Sequence, residues 1–101
     1  MTARSRRCAW CPLIERIRCG NRSIADQIVR AASSVLLNLG EGSQRRGADR
    51  MHFYRIAAGS AAEVRCALDA AEALGFIDGR DGAAAWDRFG AVVAMLRAIT
   101  R

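Results

Sequence analysis

The chain has no lysine, one proline, one histidine and few aromatic residues, 6% of 101. A single proline leaves nearly the whole length free to be helical. Low aromatic content beside abundant alanine favours closely approaching helices over a pleated sheet. No stretch nears the roughly 20 apolar residues that a membrane-crossing helix needs. The first residues are basic, as in a secretion signal, but lack its continuous apolar centre, so the expected location is the cytoplasm, with no membrane partner. Cys8, Cys11, Cys19 and Cys66 are then expected as reduced thiols. Cys8-x-x-Cys11 has no second ligand pair; Cys19 is a conceivable third ligand, but His52 is distant, so no metal is expected. Cys66, on a helix expected to be buried, reads as packing. There is no carboxylate pair at acid–base spacing, no glycine-rich phosphate loop and no nucleophile beside a base, so neither catalysis nor a cofactor is expected.

What is present is positive charge. All sixteen basic residues are arginine, set against ten acids, for a net charge of +6. Arginine pairs with phosphate bidentately and keeps its charge at any cellular pH, which raises RNA or DNA as a partner. The length allows one domain: a basic arm and short first helix over 1–22, then a helical core over 23–101.

Residues 23–42 organise the chain. Ile24, Ile28, Ala31, Val35 and Leu39 share one side of a helix, and Ala25, Val29, Ala32 and Leu36 widen it, which predicts a mostly buried helix. Gln27, Arg30, Ser34, Asn38 and Glu41 form a polar stripe along its border. Buried polar groups need partners, so the stripe predicts a facing helix or second subunit with complementary groups. Ser23 is the expected N-cap, with Asp26 completing a capping box, and Gly40 and Gly42 the expected stop. Before it, Ala9 to Ile17 predict a short helix. After the turn at 43–47, a long helix runs from about Asp49 to Leu74, with Gly59 to Ala62 marking a tight crossing and Gly75 a left-handed cap. The turn at 78–82 leads to a last helix of about 17 residues, with Trp86, Phe89, Val92, Val93, Leu96 and Ile99 on its core face. Short loops between long helices predict an up-and-down antiparallel bundle.

Three segments carry a resemblance: QIVRAASSVLLNLGEG at 27–42, FYRIAAGSAAEVRCALDAAEALGFI at 53–77 and VVAMLRAI at 92–99. They resemble the four helix bundle protein family, whose founding members are encoded by intervening sequences within bacterial 23S ribosomal RNA genes. The resemblance implies an all-α, antiparallel four-helix bundle assembling as a homopentamer. It also implies a relation to the accessory protein of diversity-generating retroelements, a basic pentamer that binds a reverse transcriptase and nucleic acid. Neither branch is known as an enzyme. The start of the chain departs from the family pattern, so a shortened or divergent first helix is expected, which in a bundle leaves apolar surface uncovered.

Two sets of candidate residues follow. Gln27, Arg30, Ser34, Asn38 and Glu41, with Glu63 on the next helix, are expected as a structural polar network in which Arg30 pairs with Glu63 or Glu41; the competing reading is a pocket or pore lining. Arg45, Arg46 and Arg50, on the turn after the organising helix, are the first nucleic-acid candidates, and Arg4, Arg6 and Arg7 on the arm the second; repeated in a pentamer they would form a basic ring, although a solvated loop has the same composition. The expected function is a non-enzymatic, oligomeric, basic protein that binds RNA or DNA through arginine–phosphate contacts, with a reverse transcriptase or ribosomal partner. The alternative is a protein-interaction scaffold encoded in or near a ribosomal RNA intervening sequence.

Overall fold

The computed structural model describes residues 10–100, with side chains from Pro12 onward. Arg4, Arg6, Arg7 and Cys8, and the side chain of Cys11, lie outside that description. Among the described residues there are four helices and no strand: α1 (Trp10–Gly20), α2 (Arg22–Ser43), α3 (Gly47–Ala73) and α4 (Gly79–Ile99).

The helix ends follow local chemistry. Only Asn21 separates α1 from α2, and its side chain, rather than that of Ser23, caps α2 by accepting the Ile24 N–H at 3.0 Å. Asp26, expected in a capping box, pairs with Arg18 of α1 instead. Gly40 and Gly42 do not stop α2, which ends at Ser43. The Tyr54 ring lies over Gly42, where a Cβ would stand 2.6 Å from Tyr54 Cε1, so a small residue is needed inside the helix. Gly75, at φ 82°, takes the left-handed cap position at the end of α3. There the Gly75 N–H donates to Glu72 O at 3.0 Å and the Phe76 N–H to Ala71 O at 2.9 Å. The Asp78 side chain accepts the Asp81 N–H at 2.8 Å, so α4 begins inside the glycine-rich turn and reaches 21 residues.

Two apolar clusters form the core. One joins Leu13 and Ile17 of α1 to Ile28, Val64, Leu68, Ile77 and Ala85; the other joins Val35 to Ala57, Ala61, Val93 and Leu96. The α2–α3 pair is the centre of the packing, with α1 lying on α2 and α4 on α3. An Arg16–Asp81 ion pair at 2.8 Å links α1 to the start of α4, and the Phe76 ring rests against Gly20.

Two further expectations are corrected. The organising helix is not mostly buried: its inner face is, but Val29 is 44% exposed, Leu36 63% and Leu37 71%. The apolar arc is wider than one chain can cover. Gly59 does not mark the crossing either, because a Cβ there would meet nothing within 4 Å. The crossing falls one residue later, at buried Ser60 and Ala61.

Candidate functional site

The polar stripe lies where α2 meets α3. The Gln27 side chain donates to Glu63 Oε2 at 3.1 Å and accepts from Arg30 at 3.4 Å. Ser34 Oγ and Ser60 Oγ are 2.8 Å apart, and Asn38 Nδ2 donates to Ser34 O at 2.8 Å and to Ser34 Oγ at 3.1 Å. Among the described residues no buried side-chain polar atom is left without a partner. The expected Arg30 ion pair is absent. Gln27 stands between Arg30 and Glu63, while Glu41 lies 11 residues further, about 16 Å along the helix, and pairs with Arg45 at 3.1 Å.

Ser23, Ile24, Gln27, Ala62, Glu63, Cys66, Ala67 and Ala70 line an open groove of about 460 Å³. Cys66 is an exposed free thiol at its edge, not the packing residue that helix position suggested. Periodicity places Cys66 on a helix but does not say which parts of that helix a neighbour covers.

The basic turn is less free than its composition implies. Arg45 bonds both Glu41, at 3.1 Å, and Asp49, at 3.3 Å, and its guanidinium lies 5.2 Å from the centre of the Phe53 ring. The hydrogen bond to Glu41, with the charges of Asp49 and Glu41, raises the Arg45 pKa above its ordinary value. Arg50 donates to Gly42 O at 3.1 Å and Ser43 O at 3.3 Å, satisfying carbonyl groups at the end of α2. Of the three turn arginines, only Arg46 has a side chain without a partner among the described residues.

Five further arginines share that condition: Arg22, Arg55, Arg80, Arg88 and Arg97 are exposed and unpartnered among the described residues. Sequence reasoning passed over them because each is isolated in the chain, whereas the turn cluster is dense. Density along the sequence and freedom in space proved to be different properties. Among the described residues no three His, Cys, Asp or Glu side chains are grouped to hold a metal, and no helix is long and apolar enough to cross a membrane.

The helices, the seam and the free arginines together define a small, basic four-helix bundle. The family model described as 23S rRNA-intervening sequence protein matches residues 15–98. The chain belongs to that family. Comparison with curated proteins and with solved structures gave no match.

Proposed function

We propose that this protein is a non-enzymatic, oligomeric binding protein of the cytoplasm that engages RNA or DNA through arginine–phosphate contacts. The observation that carries the reading is the set of six exposed arginines, Arg22, Arg46, Arg55, Arg80, Arg88 and Arg97, whose side chains have no partner among the described residues. Such groups release condensed counterions when they meet phosphate, and they do so without reading bases. The α2–α3 register supports an antiparallel up-and-down order: Gln27 bonds Glu63, Ser34 bonds Ser60 and Gly42 meets Tyr54, so one helix ascends as the other descends. The homopentamer and the reverse-transcriptase or ribosomal partner rest on the family resemblance; a retroelement or ribosomal RNA gene around the coding sequence would choose between those partners.

The test is the mass of the purified protein by light scattering, with and without a short structured RNA, at low and moderate salt. An oligomer that gains RNA mass at low salt and loses it as salt rises is the expected result. An oligomer that never takes up RNA moves the reading to a protein-interaction scaffold, which the exposed Val29, Leu36 and Leu37 favour.

A further inference from the structure

Between α3 and α4 lie two small recesses that share Arg65 and Trp86, and their charge differs. The Arg65 guanidinium stands 5.1 Å from the centre of the Trp86 ring and lines both. In the recess toward the start of α4, the carboxylates of Asp69 and Glu72 accompany it. The recess toward the end of α4, of about 80 Å³, has no acid among its lining residues and a second arginine, Arg97, instead. Its floor is apolar, made by buried Ala61, Val93 and Leu96.

Two cations on one small recess repel each other. Asp69 relieves little of this, because it meets Arg65 at 3.5 Å, well beyond the length of a strong charged hydrogen bond, and lines the other recess. Arg97 is exposed and has no partner among the described residues. Its place in the last turn of α4 suits a cation, but the helix dipole does not account for a second cation across an apolar floor. Trp86 adds a further donor, since its indole N–H has no acceptor among the described residues.

A fitting occupant is negative at one end and apolar at the other. Inorganic phosphate meets only the first condition, because its hydrated oxygens would lie against alanine, valine and leucine. Size excludes a ring: a dry cavity of about 150 Å³ holds benzene, so about 80 Å³ takes a chain of about four carbon atoms. We infer that this recess binds a short-chain aliphatic carboxylate, its head held between Arg65 and Arg97 and its chain laid on Ala61, Val93 and Leu96. The site goes beyond the nucleic-acid reading, because it gives one of the free arginines a small organic ligand.

The test is an NMR titration of the full chain labelled with nitrogen-15, following the Trp86 indole N–H, which W86F assigns, at constant ionic strength. Three probes separate the parts of the ligand: valerate has head and tail, inorganic phosphate a head alone, and 1-butanol a tail alone. Valerate is expected to move the Trp86 signal saturably in the millimolar range, and each of the other two to bind about tenfold more weakly or not at all. R97Q, at an exposed side chain without a described partner, is expected to weaken valerate about tenfold with circular dichroism unchanged. A58L, which fills the recess from its half-buried wall, is expected to abolish the shift. Phosphate binding as well as valerate overturns the aliphatic tail, and 1-butanol binding as well overturns the carboxylate. A valerate shift that is absent from wild type, or that survives in R97Q unchanged, overturns the site.

Discussion

At the scale of single residues, the division between structural and free arginines makes different predictions for side chains of one type. Replacing Arg50 by glutamine removes donors from the Gly42 and Ser43 carbonyls, so R50Q is expected to lower stability by about 1 kcal/mol, seen as an earlier urea midpoint. R46Q, at a side chain without a described partner, is expected to leave that midpoint unchanged and to weaken RNA binding with a shallower salt slope. A binding loss in R45Q equal to that in R46Q would show that the ion pairs of Arg45 open on binding. A raised pKa means that Arg45 binds its proton more tightly folded than unfolded. The linked stability is therefore present below the unfolded value and lost only as pH rises through the folded one, in strong alkali. No pH dependence from this group is expected in neutral solution. Gly42 is a constraint of another kind: in G42A the new methyl meets the Tyr54 ring, and a cost of about 1–3 kcal/mol is expected in the same denaturation experiment.

At the scale of elements, the helices were legible in the chain and their ends much less so. Apolar spacing gave α2, α3 and α4 because a 3.6-residue period survives isolated substitutions. The ends depend on which of several capable side chains wins a few hydrogen bonds. Asn21 prevailed over Ser23, and Asp26 went to Arg18, a residue no local pattern connects to it. N21A and D78A are each expected to cost about 1 kcal/mol by thermal unfolding, since both side chains hold an otherwise unpaired N–H of a first turn. The polar stripe was legible as a stripe, but its pairing was not. Arg30 and Glu63 carry the obvious opposite charges, yet Gln27 has the reach and geometry to stand between them.

At the scale of the whole molecule, the sequence marks which surfaces are apolar but does not say what covers them. Val29 and Leu36 look like core by period, and only packing shows that their own chain leaves them open. Deleting methylenes from the interior should behave differently from deleting them there. L96A, at a fully buried position, is expected to cost about 2–5 kcal/mol, whereas L36A should leave monomer stability nearly unchanged and lower the mass of the assembly. The Phe76 ring lying on Gly20 has a further consequence at this scale. It fastens the turn between α3 and α4 to the junction between α1 and α2, so two interhelical connections are held together. Any event that lifts α1 from α2 should therefore release a connection more than fifty residues away, and the amide of Phe76 should exchange its hydrogen at the pace at which the first helix comes and goes.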